Sequence, residues 1–205
     1  MRRTMVAKKH YTVGDIFEIA RLATLTGLAG SRSVARCDRR FSERIMLAVT
    51  EVNGCELCSY AHSRFALDAG MDETEVRELL GGVTEGVPGR ELVGVAFGQH
   101  YADTGGRPDP AAWEEVVGQY GEASLCVLRA ARTMMWGNAL GIPVSALRAR
   151  IKGRPYPRST VGYELGTSLG GTLVTPLGVL VGVLDALRGR PVAPERGRYD
   201  RHSPV

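Results

Sequence analysis

The chain has 205 residues, of which 44% are hydrophobic and 23% charged, so it can bury a core without support from metals or disulfides. Four cysteines are too few for a disulfide scaffold, and no long apolar run follows the basic N-terminus, so we expect a cytoplasmic protein with reduced thiols. The formal net charge of +4 lies largely near the two ends and accompanies no nucleic-acid motif, so we expect no nucleic-acid partner.

The chain is predicted to be all-α, because apolar residues recur at spacings of three and four and alternating β-branched segments are scarce. Glycine, proline and capping residues divide this pattern into separate helices. In chain order, the predicted helices are 13–28, 42–53, 55–69, 72–80, 88–99, 110–119, 123–140 and 143–151, followed by apolar helices to about residue 187. We therefore expect a single helical domain over 1–187 and a basic, disordered tail over 188–205.

One apolar segment, 169–184, has no charged residue over 16 positions. It is shorter than the roughly 20 apolar residues that a membrane-spanning helix needs, and Pro176 interrupts it. We therefore predict a buried core helix or helix pair here, and no membrane partner.

The stretch NGCELCSYAH, residues 53–62, contains the residues best suited to chemistry. Cys55 follows a helix breaker and should lie at the N-cap or first turn of the third helix, where backbone N–H groups and the helix dipole favour a thiolate. Cys58 is three residues further on and within disulfide reach, and His62 follows it by four on the same helix face. Leu57, Ala61 and Phe65 form the predicted apolar stripe of this helix.

Two thiols and a base at this spacing suit peroxide reduction. One thiolate attacks a hydroperoxide and becomes a sulfenic acid, the other condenses with it to a disulfide, and an external dithiol restores both thiols. His62 can move the protons, and a carboxylate can orient it. Glu43 and Glu51 are both candidates for that carboxylate, and spacing alone does not choose between them.

Three other interpretations of the cysteine pair remain open. Structural zinc usually takes four protein ligands, and Cys37 and Cys126 have no partners at ligand spacing. A thioredoxin-type site would need a preceding strand, which the pattern lacks. The cysteines can also be ordinary core residues, as we expect for Cys37 and Cys126. A non-catalytic or metal-binding helical protein is therefore the rival hypothesis.

The segment SERIMLAVTEVNGCELCSYAH, residues 42–62, resembles the AhpD-like alkylhydroperoxidase group within the carboxymuconolactone decarboxylase superfamily. The family motif is a glutamate, eleven residues, and then C-x-x-C-x-x-x-H. Glu43, Cys55, Cys58 and His62 stand at those four places. A less specific likeness extends through MMWGNALGIPVSALRARIKG, so the resemblance covers most of residues 13–187.

This resemblance implies an all-α, AhpD-like helical bundle whose protomers form homotrimers or homohexamers. It implies that Cys58 is the peroxidatic cysteine, that Cys55 resolves it, and that Glu43 and His62 form a proton relay. The substrate would be a hydroperoxide and the reductant a dithiol, for example on a lipoylated protein. No metal and no bound cofactor are expected.

One position departs from the family pattern. Well-studied members have a second histidine just before the second cysteine, and this chain has Leu57 there, which leaves His62 as the imidazole of the relay. The true γ-carboxymuconolactone decarboxylases generally lack the cysteine pair, so its presence argues against decarboxylation. A decarboxylase-like enzyme on the same scaffold stays the alternative.

Overall fold

The computed structural model describes residues 9–32 and 38–194. Within these ranges the chain is helical and contains no strand, so the all-α prediction is confirmed. The α-helices are α1 (Val13–Arg32), α2 (Arg39–Asn53), α3 (Glu56–Asp68), α4 (Glu73–Leu79), α5 (Leu92–Asp103), α6 (Pro110–Tyr120), α7 (Ser124–Ile151) and α8 (Val161–Leu187). Two short 3₁₀ helices, Gly89–Glu91 and Gly121–Ala123, precede α5 and α7.

The helix ends follow the capping signals of the sequence. Gly54 ends α2 in the left-handed conformation, with φ of 71°, and its N–H donates to the Thr50 carbonyl at 2.8 Å. The Asp72 carboxylate accepts the Glu75 N–H at 2.8 Å and starts α4. Asp109 caps α6 in the same way. These local contacts fix where the chain turns.

The core is built around α2 and α7, which pack against each other. Helix α2 also contacts α3 and α5, and α7 also contacts α1 and α8. Ile45 and Val49 of α2, together with Leu128 and Met135 of α7, are almost completely shielded from solvent. The fixed α2–α7 pair is the support on which α3 and its cysteines are held.

Helix α7 runs without a break through Pro143, so the predicted helix end at Gly141 and Pro143 is wrong. Proline lacks the N–H that would bond to the Ala139 carbonyl, which normally weakens a helix at that point. Here Ile142, Pro143 and Ala146 are all buried, so packing on both sides of the proline offsets the missing hydrogen bond.

Helix α8 is one continuous helix with an exposed apolar face, so the prediction of a buried core helix or helix pair is wrong. Its glycine side lies directly on α1: a Cβ at Gly178 or Gly182 would come within 2.7 Å of a carbonyl oxygen of α1. The opposite side carries the leucine stripe, which we define as seven leucines that are 37–76% exposed. They are Leu165, Leu169, Leu173, Leu177, Leu180, Leu184 and Leu187.

Helix α8 is also the one helix in the described ranges that is long and apolar enough to cross a membrane by length and composition. Only 22% of its most apolar window is buried. Buried ion pairs hold both of its ends, because Glu164 binds Arg150 of α7 and Asp185 binds Arg21 of α1. Length and composition alone do not distinguish a membrane helix from a helix that packs against another protein.

The described residues leave some predictions untested. Cys37 and residues 195–205, most of the predicted basic tail, lie outside the described ranges. Cys126 is buried in α7, as predicted, but it is disulfide-bonded, so the expectation of a reduced thiol is wrong at this position. The single-domain boundary at residue 187 stays a prediction.

Candidate active site

The turn that precedes the first cysteine is held by contacts of Asn53 with Tyr11 and Met135. The Asn53 side chain is fully buried, and its Oδ1 accepts the Tyr11 hydroxyl at 2.7 Å. Its Nδ2 donates to the Met135 sulfur at 3.3 Å. Burial raises the pKa of Tyr11, which therefore remains a neutral hydrogen-bond donor. With Asn53 and Gly54 fixed, the chain enters α3 in one direction.

Cys55 is the N-cap of α3, as the sequence predicts. Its backbone is extended and its Sγ accepts the Cys58 N–H at 3.3 Å. The two residues form a disulfide, with their Cα atoms 5.3 Å apart. Cys55 is completely buried and Cys58 is 6% exposed. When the pair is reduced, the same N–H and the positive end of α3 favour negative charge on the Cys55 sulfur.

Helix α7 forms the wall behind the sulfurs. The Cys58 sulfur lies 3.4 Å from the Gly137 carbonyl oxygen, and the Leu57 N–H donates to the Ser145 hydroxyl at 3.3 Å. At Gly141, a Cβ would come within 2.7 Å of the Cys55 sulfur and 2.8 Å of the Cys58 sulfur. Glycine at 141 is therefore what lets α7 approach the disulfide.

This wall is absent from the sequence-based prediction. Residues 137, 141 and 145 are Gly, Gly and Ser, and a spacing of four places them on one face of a helix. Small residues at such spacing allow close approach of a neighbouring segment. The signal was present, but a Gly141–Pro143 break was predicted in its place.

His62 and Glu43 meet across the α2–α3 interface. The His62 Nδ1–H donates to the Glu43 Oε2 at 2.8 Å, because a carboxylate can only accept. This bond leaves Nε2 as the nitrogen that can exchange a proton. The Glu43 side chain is 7% exposed and that of His62 18%, so the pair is largely shielded from water. His62 lies four residues after Cys58 on α3, on the same helix face.

The other candidate carboxylate points elsewhere. The Glu51 carboxyl group lies beside Gly82, where a Cβ would be 3.7 Å from Glu51 Cδ. Gly82 belongs to the turn after α4, so Glu51 faces that turn. The structure thus brings Glu43, and not Glu51, to His62.

The exposed surface of the helix that carries the cysteines, α3, is partly apolar. Leu57 is 41% exposed and Phe65 is 46% exposed, so the predicted apolar stripe of α3 is not buried and that expectation is wrong. The buried side of α3 instead carries Cys58 and Ala66. The Phe65 ring packs edge-on against the His62 ring at 5.4 Å between centroids. Exposed apolar side chains near the cysteine pair suit an organic substrate better than a highly charged one.

A carboxylate also lies in the first turn of α3. The Tyr156 hydroxyl donates to Glu56 Oε2 at 2.7 Å, and burial together with this hydrogen bond raises the Tyr156 pKa. Glu56 is stabilised by the positive end of α3. Among residues 9–32 and 38–194, no three His, Cys, Asp or Glu side chains are grouped in a way that could hold a metal ion.

The fold and the site together define an all-α protein with a cysteine pair at a helix start that forms a disulfide. Residues 18–87, which include all four predicted site residues, match the model of the carboxymuconolactone decarboxylase family. The predicted family resemblance is confirmed over that segment. No curated protein and no solved structure matches the chain.

Proposed function

We propose that this protein is a thiol-dependent alkylhydroperoxide reductase of the AhpD type, with Cys58 peroxidatic, Cys55 resolving, and Glu43 and His62 as a proton relay. The observation that supports it best is the Cys55–Cys58 disulfide at the start of α3, together with His62 on the same helix and its 2.8 Å hydrogen bond to Glu43 of α2. The cysteine pair and the family match support the coarser assignment to this enzyme superfamily.

In the first step, His62 Nε2 takes the proton of the Cys58 thiol. The Cys58 thiolate attacks the distal oxygen of the hydroperoxide, the O–O bond breaks, and Cys58 becomes a sulfenic acid. The departing alkoxide takes the proton back from His62 and leaves as an alcohol. Glu43 holds the imidazole in the required tautomer and stabilises it while it is protonated.

In the second step, the Cys55 sulfur attacks the sulfenic sulfur of Cys58. The S–S bond forms and water leaves. Cys55 is well placed for this step, because its sulfur already accepts the Cys58 N–H at the helix start. The product is the disulfide that this structure contains.

In the third step, a dithiol reduces the disulfide. We propose that its first thiolate attacks Cys58, the less buried of the two sulfurs, and expels Cys55 as a thiolate. The helix start stabilises that leaving group. The second thiol of the reductant then displaces Cys58, so the reductant becomes a cyclic disulfide and both cysteines regain thiols.

The test is consumption of cumene hydroperoxide with dithiothreitol as the electron donor. Cys58→Ser should abolish turnover, and Cys55→Ser should accumulate a sulfenic acid on Cys58 that a nucleophilic trap marks in a mass spectrum. Ser63→Ala is the matched control, because Ser63 lies on α3 and its hydroxyl donates to the Ser59 carbonyl oxygen of the same helix. Full activity in both cysteine variants would sink the proposal.

The family match also favours a second candidate, a decarboxylase-like enzyme on the same scaffold. That activity would survive replacement of both Cys55 and Cys58, whereas peroxide reduction would not. The non-catalytic, metal-binding rival makes a third prediction: purified protein would contain near-stoichiometric zinc, and both cysteines would resist alkylation. Metal analysis after reduction separates this outcome from the other two.

The proposal includes self-association as a homotrimer or homohexamer in the cytoplasm. The leucine stripe of α8 supports a second copy as its partner. The exposed fractions of the seven leucines correspond to about four fully exposed side chains, which is on the order of 700 Å² of apolar surface. That area approaches the roughly 800 Å² that each partner buries in a standard interface, and it exceeds the largest apolar patch of most monomers.

A further inference from the structure

A cavity of about 690 Å³ lies between α1, α5, α7 and the segment that follows α8. None of Glu43, Cys55, Cys58 and His62 lines it. Its volume is typical of sites that hold small organic molecules, which range from about 300 to 1,000 Å³. The proposed peroxidase chemistry makes no use of this space.

Arg132 of α7 forms part of the cavity wall and is only 3% exposed. Its Nε donates to the Tyr101 hydroxyl at 3.1 Å, and its Nη1 donates to the Thr26 hydroxyl and to the Val192 carbonyl oxygen at 2.9 Å. All three acceptors are neutral. No carboxylate of the described residues forms an ion pair with Arg132, and Nη2 makes no hydrogen bond to any of them.

A buried guanidinium without a counter-charge is costly, because its desolvation is not offset by an opposite charge. The most buried acidic residue of the cavity lining, Asp185, does not provide that charge, since it is already paired with Arg21. Arg132 is therefore a desolvated cation with two unused N–H groups at the wall of a cavity. An anionic ligand would satisfy both the charge and the donors.

The remaining cavity lining selects the type of anion. Five basic and three acidic side chains line the cavity, so its charge is positive on balance. The basic ones are Lys9, Arg21, Arg107, Arg132 and Arg190, and the acidic ones are Asp15, Glu18 and Asp185. The rest of the wall includes apolar side chains, namely Ile19, Leu22, Leu25 and Met135. A small inorganic ion would leave this apolar surface uncovered.

We propose that this cavity binds a small organic carboxylate, with the carboxylate at Arg132 and an apolar body against α1 and Met135. The planar guanidinium matches a carboxylate through paired N–H donors. Arg107 and Arg190 are exposed and lie at the entrance, where they attract the anion from solvent. This site is separate from the cysteine pair and does not depend on the proposed peroxidase activity.

The probe is benzoate, measured by calorimetric titration at fixed ionic strength, with neutral benzamide as the matched ligand. Wild-type protein should bind benzoate saturably at one site. Benzamide should bind at least about tenfold more weakly than benzoate. Arg132→Gln should weaken benzoate binding by about tenfold or more. Arg129→Gln is the matched control, because Arg129 is on the same helix but does not line the cavity, and it should bind benzoate like the wild type.

Arg107→Gln provides a second variant that does not disturb the buried wall. It should weaken benzoate binding a few-fold and make it less sensitive to salt, because Arg107 is at the exposed entrance. If Arg132→Gln fails to fold, the Arg107→Gln variant and the comparison of benzoate with benzamide test the proposal. The proposal is overturned if wild-type protein does not bind benzoate, if benzamide binds equally well, or if a folded Arg132→Gln binds as the wild type does.

Discussion

Glu43 and His62 are nineteen residues apart in the sequence, yet one 2.8 Å hydrogen bond joins them across the interface between α2 and α3. The bond connects a buried carboxylate to an imidazole on the helix that carries both cysteines. It fixes which imidazole nitrogen is free to exchange a proton. The proposed relay depends on this contact, because His62 is its only imidazole.

Loss of the relay should slow peroxide turnover without unfolding the protein. His62→Ala removes the proton acceptor and should lower kcat by about 10²-fold or more, whereas Glu43→Gln keeps the shape but not the charge and should lower it about tenfold. Thermal melting should show both variants folded. Glu51→Gln is the matched control on α2, since Glu51 faces Gly82, and it should keep wild-type kinetics. Unchanged rates in both relay variants would remove Glu43 and His62 from the mechanism.

Gly141 should be sensitive to the smallest possible substitution. Gly141→Ala places a methyl group within 3 Å of both sulfurs, so α3 must shift away from α7 and disulfide formation after peroxide treatment should slow. Gly137→Ala is the control one turn earlier: its methyl group meets only the flexible end of Met134 at 3.1 Å. Stopped-flow measurement of disulfide formation should show a slower rate for the first variant alone. Equal rates in the two would contradict the close packing of α7 on the cysteines.

The leucine stripe should control self-association. Replacing Leu169 and Leu173, which are 65% and 76% exposed, with Gln removes apolar surface from the N-terminal half of the stripe and should shift the mass measured by light scattering toward one protomer. Ile151→Gln is the control, because Ile151 is 78% exposed and lies outside α8. The alternative is that the stripe contacts a membrane. In that case the wild-type protein would partition into lipid vesicles, and the double variant would have the same mass as the wild type.

The ion pair between Glu164 and Arg150 should make stability depend on acidity. Hydrogen bonds from Arg150 lower the pKa of Glu164, which is fully buried, below its ordinary value. The carboxylate therefore stabilises the fold above the ordinary Glu pKa of about 4.3, and this contribution is lost as pH falls through the lowered folded value. Glu164→Gln should reduce the free energy of unfolding at pH 7 and flatten its decline in acid. Glu122→Gln, at an exposed position, should leave the acid profile unchanged.

The local part of the site could be predicted from the sequence, and the long-range part could not. Cys55, Cys58 and His62 lie within eight residues, so helical spacing alone places them on one face. Choosing Glu43 over Glu51 needed the family resemblance, because the turn at Gly54 breaks the helical register. The contact of Gly141 with the sulfurs comes from a helix more than 80 residues later, and no local spacing specifies it.

Helix α8 illustrates a different limit. Its composition predicts burial, because apolar residues surround the helix. The structure buries the glycines instead, since Gly178 and Gly182 allow the backbones of α1 and α8 to approach closely, and this contact turns the leucines outward. Which face of an apolar helix is covered depends on the shape of its neighbour, and that information is not in the helix itself.

Residue 55 is the N-cap of α3: its carbonyl oxygen accepts the Ser59 N–H at 2.9 Å, and its sulfur accepts the Cys58 N–H of the first turn. Opening and closing the sulfur–sulfur bond therefore breaks no backbone hydrogen bond of that helix. Circular dichroism of the oxidised and reduced protein should be nearly superimposable, and each catalytic cycle would return the chain to the same conformation without any refolding.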